Sequence, residues 1–306
     1  MQLERIECKL LERAKSVCVS PNYIVGCMGK RAMIMDSQGA LLHTVEGLEY
    51  VYAAQVSPDE TKLLLVSNAN KFYIVDLQTF EKRRVSVKAP YNHNLEGRGC
   101  WSLDASAVWI PVQRATGYIT STLRRYYIED PGRFEDYLAD QYYLSGIWPM
   151  ESMGAYFLTG YNRRENNRDY FIYFDGSAFQ ELPLETRMVA PAVTVDARRG
   201  VITVSSVTGC RQFSLEGQQL REILPPEPQE IVFRGEDTIN KYAISACGKF
   251  MFLACQSGFY LLDASTGAVL ASVPEKYGVE DVVQTAPDVI ALTTWAGVKL
   301  YRLINS

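Results

Sequence analysis

One pattern recurs along the whole chain. An apolar strand leads to a turn rich in Ser, Pro and Asp, a second apolar strand, a polar loop, a third strand, and an Asp or Gly turn. The clearest copy is VYAAQVSPDETKLLLVSNANKFYIVDL at 51–77, and the next is INKYAISACGKFMFLACQSGFYLLDASTG at 239–267. The turn between first and second strands is the best ruler. It falls at Ser20-Pro21-Asn22, Ser57-Pro58-Asp59, Ser102-Leu103-Asp104, Pro149-Met150-Glu151, Val195-Asp196-Ala197, Ser245-Ala246-Cys247 and Thr285-Ala286-Pro287-Asp288. Steps between first members are 37, 45, 47, 46, 50 and 40 residues, and the span from Thr285 around through the termini to Ser20 is 41. Units of about 40–45 residues holding four strands predict a β-propeller, one blade per unit. The expectation is an all-β, seven-bladed propeller of four-stranded antiparallel blades, one domain over 1–306.

The last unit supplies only three strands, VEDVVQTA, VIALTTW and VKLYRLI. The missing fourth is available in QLERIECKL at 2–10, so the N-terminal strand is expected to close the ring and to cover an edge that would otherwise be open. Three segments interrupt the pattern. Residues 129–141 begin with Asp130-Pro131, which suits a short helix start; residues 161–169 form a long polar loop; residues 224–237 are a Pro-rich connector.

With these strands and turns in place, the pattern S-P-D-x-x-x-h-x-V…h-x-V-x-D-x-x-T-G (h, apolar) resembles the propeller repeats of WD-repeat and YVTN-type proteins. The resemblance covers essentially the whole chain, well in the second and sixth repeats and loosely elsewhere. No Trp-Asp dipeptide closes a third strand, where Val75-Asp76 and Leu262-Asp263 stand instead, and no Gly-His dipeptide occurs. The resemblance implies a fold and a habit of binding proteins; it transfers no functional residue.

Charge and composition narrow the classes. A net charge of −4 argues against a general nucleic-acid binder. The N-terminal residues lack the apolar core of a signal peptide, and no run approaches the roughly 18 apolar residues that span a bilayer. Seven cysteines form an odd set without a C-x-x-C pair, and most lie in apolar strand runs. The chain therefore reads as a soluble, reduced, cytoplasmic and monomeric protein that binds neither membrane nor nucleic acid.

Chemical motifs are sparse. His43, in an outer strand, and His93, in a loop, have no companion at ligand spacing, so no metal site is expected. Gly97-Arg98-Gly99 opens like a dinucleotide fingerprint, but a strand follows where the phosphate-binding mechanism needs a helix N-terminus. No catalytic residue and no cofactor is assigned. Asp36, Asp76, Asp175, Glu216 and Asp263 recur between third and fourth strands, where a carboxylate caps a hairpin through bonds to backbone N–H groups.

Strands alternate in direction, so the loops between second and third strands emerge on one face together with the blade-to-blade connections. These loops are expected to carry Lys30, Arg31, Lys71, Arg114, Arg163, Arg164 and Arg168, with Tyr161 and Trp295 adding aromatic surface. Basic and aromatic side chains on one rim of an acidic protein suit an acidic protein or peptide partner. The arginine-rich loop at 163–168 is the first candidate, while acidic connections at 46–50 and 275–280 dilute the charge. The expected function is a non-catalytic interaction scaffold. The alternative is a lactonase-like hydrolase or small-ligand sensor with its site in the central channel, a class some YVTN-like propellers join.

Overall fold

The structure is a computed structural model describing residues 1–67, 71–87, 99–116, 118–130, 132–139, 143–150, 153–162, 168–182, 192–196, 200–206, 209–223, 239–245 and 247–304. Seven four-stranded antiparallel sheets form a ring. Blade one comprises Ser16–Val19, Tyr23–Cys27, Ala32–Asp36 and Leu41–Val45, and blade two Val51–Val56, Lys62–Ser67, Lys71–Asp76 and Lys82–Ser86. Blade three is Cys100–Trp101, Ala107–Thr116, Tyr118–Tyr127 and Phe134–Ala139. Blade four is Tyr143–Met150, Ala155–Asn162, Arg168–Phe174 and Phe179–Leu182. Blade five is Ala192–Asp196, Val201–Ser206, Gly209–Ser214 and Gln219–Ile223, and blade six Ile239–Ile244, Phe250–Cys255, Gly258–Asp263 and Val269–Pro274. Blade seven joins Val279–Ala286, Val289–Thr294 and Gly297–Ile304 to Gln2–Ile6. No helix among the described residues is long and apolar enough to cross a membrane.

Each central strand is buried on both faces, which explains the near-continuous apolar runs. In Lys62–Ser67, Leu63 and Leu65 pack toward blade one, while Leu64 and Val66 pack toward blade three. Successive strand residues point to opposite faces, so one strand feeds two inter-blade cores. Burying each such leucine contributes about 1.5–3 kcal/mol. Further cores lie between blades three and four around Trp109, Tyr156 and Phe174, and between six and seven around Phe252, Phe259 and Leu292.

Closure is antiparallel, from Gln2 opposite Ile304 to Ile6 opposite Leu300. The closing strand is shorter than the 2–10 expected. Past Ile6 the chain leaves the ladder and turns, with Leu11 N–H donating to Cys8 O (3.1 Å) and Ala14 N–H to Leu11 O (2.9 Å). This buries Leu11 and Ala14 against Ile24, Met33, Ala291 and Val298, the core between blades seven and one.

Two further expectations shift. Among the described residues no helix follows Asp130: its carboxylate accepts Gly132 N–H (3.1 Å), Arg133 N–H donates to Asp130 O (2.9 Å), and Phe134–Ala139 becomes blade three's outer strand; Pro131 lies outside the described residues. The turn rulers of blades four, five and seven begin on the last residues of first strands, which end at Met150, Asp196 and Ala286, and in blade seven the turn itself is Pro287-Asp288, the second half of its ruler. Serine explains the difference. Ser57 Oγ accepts Lys62 N–H (2.9 Å), Ser102 Oγ accepts Ala107 N–H (2.8 Å) and Ser245 Oγ accepts Phe250 N–H (3.0 Å), each pinning the turn at the serine.

Candidate interaction face

The ring has two chemically different faces. On one lie the turns between first and second and between third and fourth strands, and their carboxylates are spent on turn geometry. Asp36 Oδ1 accepts the N–H groups of Gln38 and Ala40, both at 2.9 Å. Asp76 does the same for Gln78 and Thr79, Asp175 for Ser177 and Ala178, and Asp263 for Ser265 and Thr266. Bonds that stabilise the ionised form lower a carboxyl pKa. The Ser265 hydroxyl and the turn N–H groups bring Asp263 to about 2. Asp175 is lowered by Ala178 N–H and Ser177, and Asp59 by the Ser57 hydroxyl against slight burial. The turn carboxylates on this face are thus held in the ionised form. Two adjoining clefts of about 380 and 390 Å³ open on it between blades two and three, sharing Lys62, Ile128 and Glu129. Lys62 there faces carboxylates of its own blade, Asp59 and Asp76, which use its charge.

The opposite face carries the hairpins between second and third strands and the blade-to-blade connections, and each described connection is laced to the hairpin of the preceding blade. Leu48 N–H donates to Lys30 O (3.0 Å) and Val51 N–H to Gly29 O (2.8 Å). Glu275 N–H donates to Ser257 O (3.0 Å), and Val298 N–H to Leu11 O (3.1 Å). At Gly258 and Gly297, both at positive φ, a Cβ would overlap the carbonyl oxygens of Val273 and Glu12, so glycine is required for the close approach.

First strands begin on this face at the channel mouth. Four of them carry a β-bulge near their start, between Val51 and Ala53, Leu144 and Gly146, Ile239 and Lys241, and Val279 and Asp281. The bulge leaves Tyr52, Ser145, Asn240 and Glu280 out of step with the ladder, where bulges commonly re-aim side chains. Asn240 Nδ2 donates to Val279 O (2.9 Å), and Lys241 pairs with Asp281, so blades six and seven are tied at the mouth. Among the described residues no group of three or more His, Cys, Asp or Glu is placed to hold a metal ion. His43 lies in blade one's outer strand, stacked on Phe80 at 4.6 Å.

The expected site residues divide sharply. Lys30 and Arg31 lie exposed on blade one's hairpin, closed by Met28 N–H to Arg31 O (2.8 Å). Trp295 is 69% exposed on blade seven's hairpin. Lys71 is not in a loop but opens a strand, where its ammonium meets the Glu49 carboxylate. Arg114 also sits within a strand, opposite Thr120, because blade three's hairpin strands run longer than the pattern suggested. Tyr161 and Arg168 occupy strands, opposite Asp169 and Asn162, and their side chains lie outside the described residues. Arg163, Arg164 and His93 lie outside the described residues altogether.

Two aromatic residues on this face escaped the sequence reading. Tyr50, 64% exposed, ends the connection from blade one to two, and Tyr277, 54% exposed, lies in the connection from six to seven. Tyr50 also holds φ at 48°, a left-handed conformation unfavourable for a bulky residue. Two of the connection acids are internally paired, Glu49 with Lys71 and buried Glu275 with Lys299 Nζ through both oxygens at 2.6 Å, while Glu46 and Glu280 are exposed. No protein-family model matches the chain, and no curated protein matches it in sequence.

Proposed function

We propose that this propeller is a non-catalytic interaction module that binds a protein or peptide through the face of hairpins and connections. The observation that carries the reading is the exposure of Trp295, Tyr277 and Tyr50 on that one face, around blades six, seven, one and two. Exposed tryptophan and tyrosine gain most when a partner dehydrates them, which makes them frequent interface anchors. Lys30 and Arg31 add charge between Trp295 and Tyr50. The alternative, a channel hydrolase or ligand sensor, would draw on the bulged residues at the mouth. There Lys241 and Asp281 are paired with each other, and Glu280 is the remaining charged residue among the bulged positions.

Affinity capture from native cells tests the proposal, comparing the wild-type chain with Trp295→Ala/Lys30→Glu/Arg31→Glu and with Leu220→Ser on an outer strand away from this face. Partners retained by the wild type and by Leu220→Ser but lost from the triple variant are the expected result. The same set retained by all three proteins overturns it, as does turnover of a lactone or phosphoester panel by the wild type.

A further inference from the structure

Resting on that reading and naming its partner, we infer that two copies of this chain pair face to face through the hairpins and connections of blades six, seven, one and two. The pair takes the place of the monomer that the sequence suggested. Trp295, Tyr277 and Tyr50 of each copy are covered by the other.

The exposed rings set the scale. Trp295 is 69% exposed, Tyr50 64% and Tyr277 54%. Burying an aromatic side chain in full removes roughly 150–250 Å² from water, so the three rings offer about 400 Å² per copy and about 800 Å² across a pair. Specific interfaces bury about 1,200–2,000 Å², and homodimer interfaces are about 65% apolar. The rings alone therefore supply the apolar share of a dimer at the small end of that range.

Charge selects the partner. Among the described residues of this arc the exposed cations are Lys9, Arg13, Lys15, Lys30, Arg31 and Lys276. The exposed acids are Glu7, Glu12, Glu46, Glu49 and Glu280. Six cations against five acids leave the arc close to neutral, so the negative excess of a chain of net charge −4 lies elsewhere. Such a face draws no partner by sign alone. It fits a surface with the same mixture of signs, and a second copy turned about a two-fold axis supplies one, each sign able to meet its opposite. Two copies meeting through their turn faces would instead set the ionised carboxylates of Asp36, Asp76, Asp175 and Asp263 against their own kind.

The arc is also ordered before any partner arrives. Lys15 Nζ donates to Trp295 O (2.6 Å), and Lys15 N–H donates to Cys27 O (2.6 Å) at the base of blade one's hairpin. That hairpin holds the following connection through Gly29 O and Lys30 O. A surface already laced together loses little freedom on association, which favours affinity.

Sedimentation equilibrium of the purified full chain across micromolar concentrations decides the matter. The wild type and Leu220→Ser are expected to show the same monomer–dimer equilibrium. Trp295→Ala/Tyr277→Ala should raise the dimer dissociation constant at least about tenfold. Lys30→Glu/Arg31→Glu and Glu46→Lys/Glu280→Lys upset the balance in opposite directions, so each alone should dimerise more weakly than the wild type. Mixed in equal amounts, they should pair at least about tenfold more tightly than either does with itself, a gain that fades as salt rises. Trp295 and Tyr277 lie outside the inter-blade cores, so the ring variant should keep the wild-type Tm and decides alone if a charge variant fails to fold. A wild type that stays monomeric overturns the inference, as does a dimer unchanged in the ring variant, a mixture no tighter than its components, or species that grow beyond a dimer. A monomer that still captures a Trp295-dependent partner from cells removes the dimer and leaves the interaction module standing. A dimer indifferent to the ring variant, together with capture indifferent to the triple variant, removes both.

Discussion

Lys15 and Trp295 are 280 positions apart in sequence, yet the Lys15 ammonium donates to the Trp295 carbonyl oxygen at 2.6 Å. The bond belongs to a second seal on the ring. The first is the ladder between Gln2–Ile6 and Gly297–Ile304; the second is residues 11–15 drawn beneath blade seven's hairpin, with Leu11 buried and its carbonyl bonded to Val298 N–H. The seal places the exposed indole of Trp295 beside blade one, so ring closure and the proposed interaction face share the same residues.

Gly297→Ala should break that second seal. Its φ is +134°, and a Cβ would collide with the Glu12 carbonyl, whereas at Gly39, with φ of +85°, a Cβ meets nothing within 4 Å. Gly39→Ala pays only the left-handed penalty of about 1–2 kcal/mol. Gly297→Ala should lose clearly more, because residues 11–15 must also be displaced. Urea denaturation of the two variants measures the difference, and equal midpoints would show that this segment is not packed as described.

In blade three a buried arginine pairs with an aspartate on the exposed side. Arg124, 4% exposed, donates from Nε and Nη2 to the Asp136 carboxylate at 2.5 and 2.8 Å, and its guanidinium lies 4.0 Å from the centre of the Phe134 ring. Removing the aspartate leaves the buried guanidinium without its charged partner, so Asp136→Ala should destabilise by about 1.5–3 kcal/mol. Replacing both, as Arg124→Met/Asp136→Leu, should recover most of that loss. A double-mutant cycle by chemical denaturation is the measurement; a double variant as unstable as Asp136→Ala alone would refute the charge argument.

Acid should unfold the ring through its turns. An unfolded aspartate titrates near pH 3.9, and Asp263 in the fold near 2. Between these values the unfolded chain holds more protons, so stability rises with pH across the window. The contribution is complete above the unfolded pKa and is lost as pH falls through the folded one. Asp263→Asn should therefore be less stable than the wild type at neutral pH and converge with it toward pH 2. Asp59, Asp76 and Asp175 share the lowered direction and steepen the same limb. Urea midpoints across this range that show a constant gap between the two proteins would contradict the assignment.

The blade count, the borrowed closing strand and the acidic turn caps were all legible in the sequence, because each has a local signature: a period, a deficit of one strand, an Asp followed by Gly. For the candidate site, only the placement of some residues was legible. Lys30, Arg31 and Trp295 stand on hairpins that the period places correctly, but the pairing of Lys71 with Glu49 joins neighbouring blades and leaves no mark on spacing. The same holds for Glu275 with Lys299, which made the connections look more acidic than they are. Tyr50 and Tyr277 resemble ordinary strand-flanking tyrosines among the 19 in the chain until exposure sets them apart. Register within a hairpin also escapes composition, which is why Arg114 was expected in a loop and lies in a strand.

Thiol chemistry gives a last test of the repeat geometry. Cys247 occupies in blade six the turn position of Asp59 in blade two, two residues after the pinning serine. Its sulfur lies 3.3 Å from Ser245 Oγ, and it is exposed. The Ser245 hydroxyl, then the Lys249 N–H, hold its pKa below the usual thiol value, as turn donors do for Asp59. Cys27 is buried, which pushes its thiol up to about 12, and burial likewise raises Cys100. Since the thiolate is the reactive form, a disulfide reagent at neutral pH should label Cys247 well ahead of Cys27 and Cys100, which should react only on unfolding. Cys247→Ser should remove one thiol from the early phase while leaving the late one; the partly exposed Cys8 and Cys18 are common to both proteins. An early phase that survives the substitution unchanged would mean that this turn does not present its side chain as the aspartate turns do.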